Sequence, residues 1–205
     1  MRTPFTLALG VAALFGLAAC GGESDGAAEP PAPEPTTPSA TAPASPPTQA
    51  GGNAEVTPPG TKLKLSERAV VPVESGSTTG QVAITNITIE KAPQAAFEAK
   101  FGAKAKQMDP YFVRYTIEHV GGGDLSRTTA PLLKALGPGG GSTGAVVIGS
   151  MPGCESGRPG AAFAQPGDKY EYCRLQASRK GTAVSGVEYD DTDGGYNTKP
   201  VTWTR

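Results

Sequence analysis

The folding of this chain is limited first of all by a forty-residue stretch, residues 21–60. It holds 10 of the 20 prolines and no aromatic residue, and Val56 is its only residue from the set Val, Ile, Leu and Met. It carries five carboxylates and no Lys or Arg. Because such a stretch cannot build a core, we expect a disordered Pro/Ala-rich tether, partly polyproline II. A folded core must therefore come from residues 61–205.

The residues before this stretch have the layout of a secretory signal peptide. Arg2 gives a positive start, residues 5–17 form an apolar run, and small residues lead into Cys20. The apolar run is short for a transmembrane helix, which needs about 20 residues to cross the bilayer core. We therefore expect residues 1–19 to be a signal peptide and the protein to be exported.

The sequence Leu-Ala-Ala-Cys that ends at Cys20 resembles the lipobox of bacterial lipoproteins. The resemblance implies cleavage before Cys20 and attachment of a diacylglyceryl group to its sulfur, with the fatty acyl chains, palmitate among them, inserted in the membrane. Two or more acyl chains give stable anchoring, whereas one chain binds only marginally. The expected location is the extracytoplasmic face of the cell membrane, with residues 20–60 as the lipidated tether.

Residues 61–205 have the length and composition of one globular domain. In this part 17 Lys and Arg residues oppose 14 Asp and Glu residues, a formal balance of +3. That balance is too small to indicate nucleic-acid binding. The charges are expected to form a solvated surface.

Strand patterns recur in this domain between glycine-rich turns and predict an all-β sandwich or barrel of about seven strands. In the clearest, Tyr111, Val113, Tyr115 and Ile117 alternate with polar residues, which indicates a half-buried central strand. Near Asn86 the apolar residues change parity, which predicts a bulge or burial on both faces. The predicted strands are residues 70–73, 81–90, 111–120, 145–149, 170–176, 183–189 and 200–204.

Two further segments have mixed signals. Residues 93–107 carry Phe97 and Phe101 four positions apart together with several alanines, which predicts a short surface helix or an ordered loop. Residues 131–136 fit either one turn or a strand, which Gly137 and Pro138 end in both cases.

The glycine-rich loop 137–144 matches two catalytic patterns incompletely. A dinucleotide site needs a helix after such a loop, and here a strand-like run follows. Ser142 fits the nucleophile-elbow pattern, but that pattern needs a later histidine, and His119 is the only histidine in the chain. We expect His119 to be a partly buried packing residue. No catalytic residue, metal site or cofactor is predicted.

An acidic run contains Asp190, Asp191 and Asp193, followed by Gly194 and Gly195. Clustered carboxylates suit calcium, but the spacing to a terminal Glu is missing. The main expectation is an Asp-Gly turn between the last two strands, and a cation site remains the alternative.

Two cysteines, Cys154 and Cys173, remain if Cys20 carries lipid. Export would place the pair in an oxidising compartment, where disulfides persist. The alternative is two independent buried thiols. We predict a disulfide, with Cα atoms within about 7 Å of each other.

Residues 61–205 show a similarity to known domains in three places: the stretch 111–125, the segment 163–169 and the closing Pro-Val-Thr-Trp at residues 200–203. In these places the chain resembles the immunoglobulin-like domains of actinobacterial lipoproteins and secreted antigens. The resemblance implies a single immunoglobulin-like β-sandwich on the extracytoplasmic side of the membrane. It implies no catalytic residues. His119 stands where such domains often have Asn.

The expected function is a membrane-anchored binding or interaction module, whose partner is an envelope protein or a small ligand. An exported hydrolase that uses Ser142 or the acidic cluster is the alternative from another class. A purely structural envelope component is the third.

Overall fold

The computed structural model describes residues 54–205, which form a mainly β fold of two four-stranded sheets and one α-helix. The strands are β1 (Lys62–Lys64), β2 (Ala69–Ser75), β3 (Thr78–Lys91), β4 (Met108–Gly122), β5 (Lys134–Leu136), β6 (Lys169–Arg179), β7 (Gly186–Tyr189) and β8 (Val201–Thr204). The helix is α1 (Gln94–Phe101), and a 3-10 turn, Ala103–Gln107, follows it. The prediction of a β-rich domain is confirmed.

One sheet has the order β2-β3-β4-β6 and is antiparallel throughout. The other has the order β1-β8-β7-β5, with β1 parallel to β8. The main hydrophobic core takes side chains from both sheets, and Trp203 is completely buried in it. The indole N–H of Trp203 donates to the carbonyl of Glu67 at 3.1 Å, which satisfies the one polar atom of that side chain.

Strand β4 is the central strand that the sequence pattern predicts, since it lies between β3 and β6. Tyr111, Val113, Tyr115 and Ile117 are buried, as the period of two requires. Phe112 is buried as well, on the opposite face. It belongs to a second apolar cluster, which the strand pattern alone does not reveal.

The irregularity predicted near Asn86 is a β-bulge. The register of β3 against β4 shifts between Thr85 and Thr88, and Asn86 has φ of 52°. Asn is one of the few residues that tolerate this left-handed conformation. The bulge brings both Ile84 and Ile87 into the core, although they differ in parity.

The second apolar cluster lies between α1 and the outer face of the sheet that contains β4 and β6. Phe97 is fully buried there, and its ring centroid is 4.9 Å from that of Phe101. Gly102, with φ of 72°, ends the helix. The predicted short helix is confirmed, and no helix within residues 54–205 is long and apolar enough to cross a membrane.

The predicted disulfide is confirmed: Cys154 and Cys173 are bonded, with their Cα atoms 5.2 Å apart. Cys173 lies in β6, while Cys154 lies in the connection that precedes β6. Both cysteines belong to the second cluster and are almost fully buried. The bond therefore fastens this connection to the outer face of the sheet.

The prediction of a strand at residues 145–149 is wrong. The segment is extended but pairs with no described strand. The carbonyl of Thr143 still accepts a hydrogen bond from the N–H of Arg179 at 3.0 Å. The next residue, Gly144, has φ of 70° and changes the direction of the chain before the segment begins. Residues 62–64 and 134–136 are strands instead, and the predicted strand 183–189 is shortened to β7.

The packed part of the chain begins upstream of the predicted boundary at residue 61. Val56 packs against the main core, and the N–H of Thr57 donates to the carbonyl of Val70 at 2.8 Å. The N–H of Val70 in turn donates to the hydroxyl of Thr57 at 2.9 Å. The last residues of the predicted tether therefore belong to the domain, while the predicted signal peptide and the tether up to residue 53 lie outside the described residues.

Candidate functional site

A groove of about 330 Å³ opens where the free edges of the two sheets meet. Strand β5 is the edge strand of one sheet, and β6 is the edge strand of the other. The glycine-rich loop and residues 145–147 form the remaining wall. The polar side chains that line the groove are Lys134, Ser142, Thr143, Arg174, Gln176 and Glu188.

The two edge strands are held together through one backbone carbonyl. The carbonyl of Leu133 accepts a hydrogen bond from Nη1 of Arg174 at 3.0 Å and another from Nε2 of Gln176 at 2.8 Å. Arg174 and Gln176 alternate in β6 with buried residues of the second cluster, so their side chains point toward β5. This pairing fixes a guanidinium group in the lining of the groove.

Charged groups of both signs lie on the β5 and β7 side of the groove. The register places Lys134 opposite Glu188, and the amine of Lys134 makes a hydrogen-bonded ion pair with Asp190. Burial, together with the negative charge of Asp190, raises the pKa of Glu188 above its usual value. The groove therefore offers two cationic donors and a carboxyl group that binds a proton more readily than an exposed one.

The glycine-rich loop is a compact turn built on its own backbone. The N–H of Gly137 donates to the carbonyl of Gly141 at 2.7 Å, and Ser142 forms an isolated antiparallel bridge with Leu136. The Ser142 hydroxyl accepts a hydrogen bond from the N–H of Gly144 at 3.1 Å. Since Gly144 has positive φ, this turn depends on a glycine. Ser142 is exposed, and its hydroxyl stabilises the turn at Gly144.

His119 is fully buried at the end of β4, away from the lining of the groove. Its ring centroid is 5.6 Å from that of Phe163, and its Nε2 lies 3.1 Å from the carbonyl of Gly121. Its Nδ1 has no hydrogen-bond partner among the described residues. The structure thus gives His119 a packing position, as predicted, but buries it completely where partial burial was expected, and does not bring it to Ser142.

The acidic run forms a turn between β7 and β8. The N–H of Asp193 approaches Oδ1 of Asp191 at 3.4 Å, and Gly194 takes a positive φ of 71° in the 3-10 turn Asp193–Gly195. The predicted Asp-Gly turn is confirmed. Within residues 54–205 no group of three or more His, Cys, Asp or Glu side chains is arranged to hold a metal ion. Of the three carboxylates, Asp190 faces toward the groove through its pair with Lys134.

A second depression, of about 490 Å³, lies on the outer face of the sheet that contains β4. Arg114 lies among the carboxylates of its lining, with its Nε 3.9 Å from the carboxylate of Glu90. Its guanidinium also donates to the carbonyl of Gly153. The contacts of Arg114 tie the connection after residue 149 to the sheet, so we place the candidate site in the first groove.

Sequence analysis identified Ser142 and the acidic run, which begins at Glu188, but gave no site role to Glu188 and missed Lys134, Arg174 and Gln176. Arg174 and Gln176 alternate with the apolar residues Cys173, Leu175 and Ala177, so the sequence pattern by itself places them on a solvent-facing side of the strand. Their position between the sheets becomes visible only because the second apolar cluster takes the other face of β6. Cys20, the predicted lipid-attachment residue, lies outside the described residues.

Comparison of the chain with protein-family models, with curated proteins and with solved structures finds no match.

Proposed function

We propose that this chain is an extracytoplasmic lipoprotein, anchored to the membrane through Cys20, that presents an immunoglobulin-like domain as a binding module. The observation that carries the binding part of the proposal is the groove between β5 and β6. It combines fixed donors and acceptors with apolar surface, and it lies at an open edge of the fold.

The order of the strands supports an immunoglobulin-like fold. After β4 the chain crosses to the other sheet for β5, returns to pair β6 with β4, and crosses again to pair β7 with β5. Immunoglobulin-like domains have this arrangement, with strands B and E in one sheet and strands C, F and G in the other. Two features differ: the buried Trp203 lies in the last strand, and the disulfide does not join the two sheets.

The groove has the character of a site for a small ligand or a short peptide segment. Ligand sites are concave, largely apolar and equipped with a few fixed polar groups, and volumes start near 300 Å³. Leu136, Val146 and Val147 supply the apolar part of the lining, and Arg174 and Lys134 supply charged donors. Lys134 is paired with Asp190, whereas Arg174 has no ion pair among the described residues, so a ligand whose acidic group meets Arg174 beside an apolar group fits this lining best.

A substitution that fills the groove tests this proposal. Gly141 has ordinary extended backbone, and a Cβ there would meet only the carbonyl of Pro138 at 3.8 Å, so Gly141→Phe places a ring at the groove without backbone strain. Gly157→Phe is the matched control, because its Cβ meets nothing within 4 Å and its φ is not positive.

The measurement is amide chemical-shift perturbation by a library of acidic and neutral short peptides and fragments. We expect binders that shift amides of β5 and of the glycine-rich loop, with the shifts lost in Gly141→Phe and kept in Gly157→Phe. Absence of groove binders, or equal binding by both variants, would contradict the proposal.

The anchoring part has a separate test. Wild-type protein should incorporate a labelled fatty acid and stay with membranes through a high-salt wash, while Cys20→Ser should lose the label and be released by that wash or remain unprocessed. Membrane-bound wild-type protein without label would refute lipid attachment and leave the groove proposal intact.

An exported hydrolase is the second candidate, because the structure places Ser142 and Glu188 in the lining of the same groove. A hydrolase that uses Ser142 as nucleophile would cleave activated esters and lose that activity in Ser142→Ala. The binding proposal expects wild type and Ser142→Ala to show the same low ester turnover.

A further inference from the structure

The extended segment 145–149 displays two large aliphatic side chains to solvent. Val146 is 81% exposed and Ile148 is 90% exposed, while Ala145 and Val147, which alternate with them along the segment, pack against the second apolar cluster. Only one other large hydrophobic residue of the described chain, Leu132, is classed as exposed, at 46%. Exposed aliphatic side chains at neighbouring positions of one segment indicate a contact surface.

Basic residues lie at both ends of this segment. At one end Nε of Arg179 donates to the carbonyl of Gly144 at 3.2 Å. At the other end Gly149 lies against the ring of Phe101, which is followed by a 3-10 turn that carries more lysines. The exposed cations of this region are Lys100, Lys104, Lys106 and Arg179.

These four cations are not neutralised by neighbouring carboxylates. None of them takes part in the ion pairs of the described residues. The nearest acidic residues along the chain do not balance these cations: Glu98 supplies a single carboxylate, hydrogen-bonded to Gln94 at 2.8 Å, and Asp109 pairs with Lys180 at 3.1 Å. The surface is therefore basic around two protruding aliphatic side chains.

We propose that this face docks on an anionic lipid surface, with Val146 and Ile148 entering the interfacial layer and the four cations meeting lipid phosphates. Aliphatic side chains surrounded by Lys and Arg are the composition by which interfacial segments bind acidic membranes. The proposal goes beyond the binding module, since it needs neither the lipid on Cys20 nor a ligand in the groove.

Charge favours a membrane over a second copy of the chain. Residues 146–148 have β-branched side chains, and residues 146–149 take part in no backbone hydrogen bond among the described residues, so an added strand is the competing occupant. A two-fold contact along this segment would bring Arg179 and the lysines of one copy toward those of the other, which electrostatic repulsion disfavours. An anionic surface instead satisfies all four cations.

The test uses residues 20–205 with Cys20→Ser, so that no acyl chain is present, and sedimentation with vesicles. The probes are vesicles of phosphatidylglycerol and phosphatidylcholine in equal amounts, and vesicles of phosphatidylcholine alone. We expect binding to the mixed vesicles, at least about tenfold weaker binding to phosphatidylcholine, and loss of binding as salt is raised.

Variants separate the two contributions. The double variant Val146→Ser and Ile148→Ser should weaken binding by about tenfold, because the transfer of two aliphatic side chains from water into the membrane interface no longer contributes to binding. Leu132→Ser is the matched control and should bind as the parent chain does. Lys104→Glu combined with Lys106→Glu should weaken binding by more than about tenfold. All these side chains are exposed, so an unchanged thermal midpoint is expected to accompany each effect.

Three results would overturn the proposal. Equal binding to both vesicle types would remove the role of charge, and unchanged binding by the Val146 and Ile148 double variant would remove the role of the segment. Concentration-dependent dimerisation that this double variant abolishes, without vesicle binding by the parent chain, would assign the face to a protein contact.

Discussion

The hydroxyl of Tyr196 donates a hydrogen bond to the carbonyl of Thr57 at 2.8 Å, across 139 positions of sequence. The contact joins the turn before β8 to the start of the described chain. Tyr196 is itself buried against Tyr189, with ring centroids 5.1 Å apart. The segment around Thr57 is therefore bonded to a core residue and not to a surface residue.

The first prediction follows from this contact. Tyr196→Phe should lower the free energy of unfolding by about 1 kcal/mol, since the Thr57 carbonyl loses its partner. Tyr170→Phe is the control, because the hydroxyl of Tyr170 is buried and has no partner among the described residues. Its removal should be neutral or stabilising. Urea denaturation of the two variants measures both values, and equal destabilisation would contradict the assignment.

A second prediction concerns the boundary of the domain. Deletion of residues 22–53 should change the thermal midpoint by less than about 2 °C, since that stretch has no Val, Ile, Leu, Met or aromatic side chain to bury. Deletion of residues 22–60 should lower it by roughly 5–10 °C, because the packing of Val56 and the hydrogen bonds of Thr57 are lost. Calorimetry distinguishes the two deletions, and similar midpoints would place the boundary at residue 61 after all.

The disulfide gives a third prediction. The bond closes a loop with a sequence separation of 19, so the double variant Cys154→Ala and Cys173→Ala should be about 3 kcal/mol less stable in the chain-entropy model. Mass spectrometry of the exported, non-reduced protein should find the two peptides joined. Two free thiols in exported protein would remove the bond and the argument for an oxidising compartment.

The bulge in β3 gives a fourth prediction. Asn86→Gly should be close to neutral, because glycine adopts the left-handed conformation freely and the bond from Asn86 to the Thr116 hydroxyl is long, at 3.3 Å. Asn86→Val should cost roughly 1–3 kcal/mol through backbone strain. Chemical denaturation checks both, and a tolerated valine would show that the bulge shifts without cost.

Asp109 gives a fifth prediction, on pH. Burial by itself would raise the pKa of this carboxyl, but the hydrogen bond from the N–H of Gly181 and the charge of Lys180 outweigh burial and hold the pKa below its usual value. A lowered pKa in the folded state contributes stability above the unfolded value near 3.9, and this contribution is lost as the pH falls through the folded value. Asp109→Asn should therefore be less stable than wild type at pH 7, by about 1 kcal/mol, and the difference should shrink toward pH 2. A difference independent of pH would contradict this.

Sequence reasoning succeeded where a pattern is local. Three local patterns each indicate which neighbouring residues are buried: the alternation in β4, the parity change at Asn86 and the phenylalanine pair of α1. The structure contains the strand, the bulge and the helix that these patterns predict. The prediction of a strand at residues 145–149 failed, since strand propensity does not show whether a partner strand is within reach, and this segment packs its side chains against the second apolar cluster without backbone pairing.

The candidate site was only half predictable for a related reason. Ser142 lies in a turn whose glycines are visible in the sequence, whereas the groove beside it exists because β5 pairs with β7 and lies next to β6. Strand β5 has three residues, and its strand character comes from that long-range pairing, which no local pattern encodes.

The segment that carries Val146 and Ile148 is held at both ends, by Arg179 at Gly144 and by Phe101 at Gly149. A loop that becomes ordered only on contact gives up about 1–2 kcal/mol of backbone conformational entropy per residue at that moment. Here folding has already absorbed that loss. A surface that meets this segment therefore finds both of its ends already positioned, and a smaller part of the association has to wait for a conformational search.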